Sequence, residues 1–331
     1  MTLVAFALLL AATLALFAAP FIPAFLELRK TGTLQPLDIP ADHDGDARFF
    51  ARRFREFVGN EKPKQPEEST AEYHARRASA LRAFVAPAPL VVDRGSVLPG
   101  DLYARNSVFG WDGAVYRGVL ADEDVALGRH SLVLRWIHGA KNLRIGPASA
   151  LLGRASAEGV LRVDADTVFG WLSAPRIEFG PAPRVTRAPR RVALPALPPA
   201  LPPAPPRCVS GDLDLPANSD VAEDLTVSGT LRVGAGSIVR RSLKCRGRLT
   251  IEDGVRVRGS LVSKSDVLIG ANCAIGGVVV AERSVHIGAN TRVGSDDTPS
   301  TVSAPEIVVA PGAVAHGTVW ARDAGAVRVT A

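Results

Sequence analysis

Aliphatic residues return to the same phase every 18 positions through the C-terminal third of the chain. Within each repeat they alternate with other residues over short runs such as Leu249–Ile251, and Gly, Asn or Asp separates the runs, as at 270–272. Such alternation indicates short strands joined by turns, and a fixed short period indicates units that stack on one another. The sixteen residues that we expect in the core are Leu225, Leu243, Leu261, Val279, Leu231, Leu249, Val267, Val285, Val233, Ile251, Ile269, Ile287, Val239, Val257, Ile275 and Val293.

The pattern predicts an all-β protein, a parallel β-helix or β-solenoid with three strands in each coil. Earlier in the chain, Val125, Leu143 and Leu161 are again 18 residues apart. We therefore expect two solenoid blocks, at 88–180 and 207–331, each long enough to bury its own core. The segment between them, 181–206, contains ten prolines and several arginines but no acidic residue. Proline at this density favours polyproline II, so we expect a semi-rigid basic linker.

The N-terminal segment is the second strong feature of the sequence. No charged residue occurs from Thr2 to Leu26, and a helix of that length exceeds the hydrocarbon core of a bilayer. Residues 1–28 are therefore predicted to form a transmembrane helix. Because Arg29 and Lys30 follow the apolar stretch, the positive-inside rule places the N-terminus outside and the solenoid in the cytoplasm. The predicted location is the inner, cytoplasmic membrane, crossed once.

Residues 29–87 are predicted to be a juxtamembrane region that contains a short amphipathic helix and a spacer. Asp46 suits the N-cap, and three phenylalanines follow at helical spacing with arginines elsewhere around the helix. A basic amphipathic helix beside a membrane span suits the lipid headgroup surface. The same phenylalanines could instead cap the open end of the solenoid. The candidate membrane-surface residues are Phe50, Phe54, Phe57, Arg48, Arg52 and Arg55.

Composition and scattered polar residues argue against several classes of function. The net charge is +6, but the basic residues are spread along the chain, which argues against nucleic acid as a partner. The three cysteines lack CxxC spacing, which suits a reducing compartment. No spacing predicts a catalytic constellation, a metal site or a cofactor, so we expect a protein that is not an enzyme. Trp111 and Trp171 each follow a Val-Phe-Gly run, and packing at solenoid corners is favoured over a sugar-binding platform.

The stretch LTIEDGVRVRGSL, residues 249–261, resembles the repeat of the bactofilin family. In that repeat, alternating aliphatic residues are followed by a glycine-containing turn, and a small or aliphatic residue with Gly precedes the next strand. Bactofilins are bacterial polymer-forming cytoskeletal proteins, right-handed β-helices that assemble end to end without nucleotide and often associate with membranes. The likeness is best over 207–294. This chain departs from the family in its transmembrane span, its second block and its Pro-rich linker.

The resemblance implies a membrane-tethered scaffold whose partners are other copies of itself, the lipid bilayer and cell-wall or polysaccharide synthesis proteins. Solenoid ends expose unpaired backbone groups unless a cap covers them, and 319–329 runs nearly to the terminus with no evident cap. We therefore expect end-to-end stacking. Two alternatives stay open: a hexapeptide-repeat acyltransferase-like enzyme, whose repeat residues 269–276 resemble, and a monomeric membrane-anchored binding platform. The hand of the β-helix is not fixed by the sequence.

Overall fold

The structure is a computed structural model, and it describes residues 46, 48–59, 83–180, 198 and 206–328. The predicted transmembrane helix at 1–28, the spacer at 60–82 and nearly all of the predicted linker lie outside the described residues. Within the described residues, no helix is long and apolar enough to cross a bilayer.

One helix and a series of short strands make up the described chain. The helix is α1, Phe49–Gly59. The strands of the first run are β1 Ala83–Ala86, β2 Leu90–Val92, β3 Val97–Ala104, β4 Val108–Gly110, β5 Val115–Ala121, β6 Val125–Leu127, β7 Leu132–Gly139, β8 Leu143–Ile145, β9 Ala150–Ala157, β10 Val160–Val163 and β11 Val168–Phe179. We call this run, 83–180, block 1.

The second run of strands, 206–328, is called block 2. Its strands are β12 Arg207–Val209, β13 Leu213–Leu215, β14 Asp220–Val221, β15 Leu225–Val227, β16 Leu231–Val233, β17 Ile238–Val239, β18 Leu243–Cys245, β19 Leu249–Ile251, β20 Arg256–Val257, β21 Leu261–Ser263, β22 Asp266–Ile269, β23 Ala274–Ile275, β24 Val279–Ala281, β25 Ser284–Ile287, β26 Arg292–Val293, β27 Ser300–Val309 and β28 Val314–Val327.

Consecutive coils stack in register, which confirms the predicted β-solenoid, of about 12 turns. Each strand pairs in parallel with its counterpart one coil later, so that Leu225 lies opposite Leu243 and Leu243 opposite Leu261. All sixteen residues of the predicted columns are at most 4% exposed. The core is a single aliphatic stack because every inward side chain rests on the equivalent side chain of the next coil.

One corner of the solenoid requires a left-handed backbone conformation in almost every coil. In block 2 the corner residues include Asn218, Gly254 and Asn272, with φ of 61°, 70° and 55°. Gly and Asn tolerate this conformation best, which is why these residue types punctuate the repeat. Block 1 places His130 and Ala148 at the same corner, with φ of 55° and 54°.

The two blocks meet through their C-terminal coils. Strand β11 pairs in parallel with β9 on one edge and antiparallel with β28 on the other, so that Leu172 of block 1 lies opposite Val319 of block 2. Both side chains are fully buried. The expectation that the C-terminal stretch leaves an open edge is therefore wrong for the described residues 319–328, because the outer edge of β28 pairs with β11 of block 1. The open ends of the described solenoid are the N-terminal ends of the two blocks.

Candidate functional site

Helix α1 lies on a side wall of block 1. Ala51 and Val58 of the helix are buried against Tyr103, Leu120 and Trp136. These three residues point outward from β3, β5 and β7, yet they are at most 7% exposed because the helix covers them. The helix therefore neither caps an end of the solenoid nor stands apart from it.

The three candidate phenylalanines lie in different surroundings. The Phe54 ring packs edge-on against Trp136, with 5.4 Å between ring centroids, and at 6.5 Å from Tyr103. Phe50 is half-buried, with the Arg154 guanidinium 5.0 Å from its ring centroid. Phe57 is 41% exposed. Contact with a membrane stays a prediction, and Phe57 is the ring that the solenoid leaves most available for it.

The candidate arginines are held by carboxylates. Arg55 donates a hydrogen bond of 2.7 Å to Asp122, which also accepts one of 2.7 Å from the Tyr103 hydroxyl. Burial, followed by the hydrogen bond to Asp122, raises the pKa of Tyr103. Arg48 and Arg52 lie 3.7 Å and 3.3 Å from the Asp46 carboxylate. The arginines of the helical segment therefore form ion pairs both with Asp46, just before the helix, and with Asp122 of block 1.

A serine and a histidine meet beneath the helix. Nδ1 of His138 is 2.8 Å from Oγ of Ser156, and its Nε2 is 3.8 Å from Glu158. Their spacing of 18 residues, one coil, is the signal that sequence reasoning missed. Both His138 and Ser156 are at most 3% exposed, and burial, followed by the positive charges of Arg55 and Arg48, lowers the pKa of His138 to about 4. A covered hydroxyl beside so weak a base is poorly suited to nucleophilic attack on a substrate.

Stacked rings and a guanidinium connect the helix to both blocks. Arg154 contacts Phe50 on one side and the Trp171 ring, 4.6 Å away, on the other. Trp171 in turn stacks on Trp320 of β28 at 5.3 Å. Cation–π contacts of this kind stabilise where they are partly desolvated. Trp171 is therefore packed, as expected, but at the junction between blocks.

Trp111 differs from Trp171, because it is 60% exposed and not packed in a corner. It borders a groove of about 430 Å³ on block 1, together with Val91, Phe109, Arg129 and Arg144. Glycines at 128 and 146 form the floor, and a Cβ at Gly146 would approach the carbonyl oxygen of Gly128 to 2.5 Å. Asp112 also lines the groove and the Arg144 guanidinium is 3.3 Å from the Asp164 carboxylate, so the groove is apolar with charges of both signs at its rim, a surface that suits a ligand with an apolar body.

The open N-terminal end of block 1 exposes residues of the core stack. Phe84 lies opposite the buried Leu102, so it occupies an inward position, yet it is 55% exposed because no described coil precedes it. At the end of block 2, Leu213 and Leu215 are partly buried in equivalent inward positions. Strands β1, β2, β12, β13 and β14 pair on one edge only among the described residues.

The remaining reactive side chains lie at structural positions. Cys245 and Cys273 are buried, and burial raises the pKa of Cys273 to about 11, whereas Cys208 on β12 is exposed. Val227, Cys245, Ser263 and Ala281, the column compared with the acyltransferase repeat, all point into the core. In the described part of the chain no three metal-ligating side chains cluster.

The class of protein that this geometry defines is a parallel β-solenoid that carries a docked amphipathic helix. The chain matches no family model, no curated protein and no solved structure.

Proposed function

We propose that this protein is a non-enzymatic, membrane-tethered scaffold that resembles bactofilins, associates with itself through the ends of its solenoid and localises cell-envelope partners. The observation that carries the proposal is the pair of open N-terminal ends. The C-terminal coils close on each other through β11 and β28, so the described molecule has two such ends and both belong to the start of a block.

Open ends favour association for two physical reasons. Edge strands present unpaired N–H and C=O groups that form hydrogen bonds with another strand. Inward residues such as Phe84 and Leu213 also lose contact with water when a further coil covers them. The β11–β28 pairing supports the proposal, because it joins two solenoid ends within one chain.

The membrane tether in this proposal is the uncharged segment from Thr2 to Leu26, with the solenoid on the cytoplasmic side. Phe57, exposed at the end of α1, would lie near the lipid surface.

Sedimentation velocity and electron microscopy of the full chain in detergent micelles, without nucleotide, test the proposal. We expect association that grows with concentration, into dimers or longer assemblies. A monomer at every concentration would contradict self-association. A discrete trimer would favour the acyltransferase-like alternative.

A monomeric membrane-anchored binding platform is the second candidate. The groove beside Trp111 favours it, because a ligand-sized concave surface exists without any association. If the protein is such a platform, replacement of Trp111 by Ala should abolish partner capture and leave the sedimentation profile unchanged. In a scaffold that acts only through its ends, the same replacement should change neither partner capture nor the sedimentation profile.

A further inference from the structure

We propose that the two open ends are not equivalent: the N-terminal end of block 1 binds the same end of a second copy and forms a two-fold dimer, while the end of block 2 stays unpaired. The inference rests on the proposed self-association and names the surface and the partner.

Exposed apolar side chains concentrate at the block 1 end. Of the eleven large apolar side chains exposed in the described chain, five lie within the first two coils of block 1, and block 2 has two, Val278 and Trp320, both far from its open end. Phe84, Val91 and Val97 belong to the first coil, at the open end itself, and exposed apolar surface of this kind marks an interaction site. The five are Phe84, Val91, Val97, Phe109 and Trp111, which are 46–66% exposed.

The end of block 2 is polar by comparison. Arg207 occupies the inward column that Leu225 continues in the next coil, and its guanidinium is 3.3 Å from Glu223. Asp214 and Asp220 pair with arginines of the following coils. Covering this end would remove the inward Arg207 guanidinium from water, which costs free energy unless it stays paired.

A two-fold axis satisfies both the backbone and the side chains of the block 1 end. Antiparallel pairing of β1 with β1 of the second copy, in the register that sets Phe84 opposite Phe84, keeps inward residues inward and places the two rings together at the axis. The same rotation brings β2 of one copy opposite the first half of β3 of the other. Val91 and Val97, which point outward there and are 58% and 66% exposed, then approach each other.

The β11–β28 junction is the precedent for this geometry. There the last coils of the two blocks meet by antiparallel pairing, with apolar residues such as Leu172 and Val319 in contact across the seam. A two-fold contact between block 1 ends would repeat this arrangement between chains. Because such a contact is isologous, it closes at a dimer and does not propagate as a filament.

Matched charge substitutions at the two ends distinguish them. Phe84→Asp in the full chain in detergent should weaken the dimer at least about tenfold, as measured by sedimentation velocity, whereas Leu213→Asp at the block 2 end should leave its dissociation constant unchanged. Hydrogen exchange in β5 and β7 of the Phe84 variant should match that of the wild type, which separates lost association from lost folding.

Cysteine cross-linking gives a second readout that does not depend on a destabilising substitution. Cys208 lies outward on β12, the outermost strand of block 2, and Ala83 lies outward on β1. A short bis-maleimide should cross-link Ala83→Cys in a Cys208→Ser background into dimers, and should leave the wild type, through Cys208, monomeric on denaturing gels.

The outcomes separate the inference from the proposed function. Loss of association in Leu213→Asp but not in Phe84→Asp, or efficient cross-linking through Cys208, would overturn the inference while self-association stands. Filaments that need both ends would overturn it in the same way. A wild-type chain that never associates would remove the proposed function itself and the inference with it.

Discussion

The two blocks share one core but present very different outer surfaces. Block 2 follows its 18-residue period closely, and the positions between its core residues hold residues such as Thr226, Arg232 and Lys244. Block 1 holds Tyr103 and Leu120 at outward positions and places α1 over them. The contrast teaches that regular repetition specifies a solenoid, whereas departures from it on the outer wall mark what the solenoid binds.

The same contrast extends to how each block is stabilised. In a solenoid each coil contacts mainly its neighbours, so stability accumulates from coil to coil. Block 1 has an additional contribution from the docked helix, and both blocks share the β11–β28 seam. The helix should therefore act mainly on block 1, because it reaches block 2 only through Arg154 and the Trp171–Trp320 stack, while the seam should act on both.

The largest expected effect is at the seam. Leu172→Ala removes a fully buried side chain that faces Val319 across the two blocks, and it should lower the free energy of unfolding by about 2–5 kcal/mol. Hydrogen exchange should accelerate in β9 and in β27, on both sides of the seam.

Leu231→Ala, equally buried but near the open end of block 2, is the matched control for the seam. It should cost a similar free energy, and the faster exchange should stay within β13, β16 and β19. Unchanged exchange in β27 of Leu172→Ala would show that the blocks are energetically independent.

The core could be predicted from the sequence because in a solenoid separation along the chain equals separation in space. A step of 18 residues from Leu225 leads to its contact partner Leu243. The repeat of block 1 was harder to recognise in the sequence, because a bulge between Leu98 and Asp101 shortens a coil and shifts the phase of the core positions.

The seam and the helix site could not be predicted in this way. Antiparallel pairing between Leu172 and Val319 leaves no periodic pattern, because the two residues belong to different runs of coils. The wall of block 1 that α1 covers does have a signal in the sequence. Val119 and Leu120 are adjacent apolar residues that break the alternation, and Leu120, which points outward, lies under α1. The concentration of exposed apolar side chains at one end follows from the three-dimensional fold and leaves no pattern in the sequence.

The second expected effect is acid sensitivity that originates in block 1. Burial lowers the pKa of His138 to about 4, whereas in the unfolded chain it titrates near 6.5, so the unfolded state binds the proton first. Stability is therefore fully present above about pH 6.5 and declines as the pH falls towards 4, by about 2–3 kcal/mol in total.

Urea unfolding of His138→Asn across this pH range checks the origin of the effect. The variant should lose less stability than the wild type between pH 6.5 and 4. Ser156→Ala, which removes the hydroxyl 2.8 Å from His138 but leaves the imidazole, should keep the wild-type slope. An identical slope in His138→Asn would assign the acid sensitivity to other groups.

The third effect should be confined to the helix. Phe54→Ala removes the ring that contacts Trp136 and Tyr103, and it should weaken docking of α1 by about 1–2 kcal/mol, less than a core phenylalanine because the ring is only half-buried. The intrinsic fluorescence, to which Trp136 contributes as one of four tryptophans, should shift to the red while the far-ultraviolet signal of the strands stays. Phe57 is 41% exposed and lies outside the cluster that Phe54 forms with Trp136 and Tyr103, so Phe57→Ala should shift the fluorescence less than Phe54→Ala, and a larger effect would place the docking contact elsewhere.

The smallest effect has opposite signs in the two blocks and comes from their shared corner. Ala148 in block 1 and Gly254 in block 2 both adopt positive φ, 54° and 70°. A Cβ at Gly254 would meet only Gly236, at 3.9 Å, so backbone conformation and not crowding decides the cost. Ala148→Gly should therefore raise the melting temperature slightly and Gly254→Ala should lower it, each by a free energy of about 0.5–1 kcal/mol. If both substitutions destabilise, the side chain of Ala148 contributes packing that outweighs the strain of its backbone, and block 1 would have adapted its corner to a residue that block 2 could not accept.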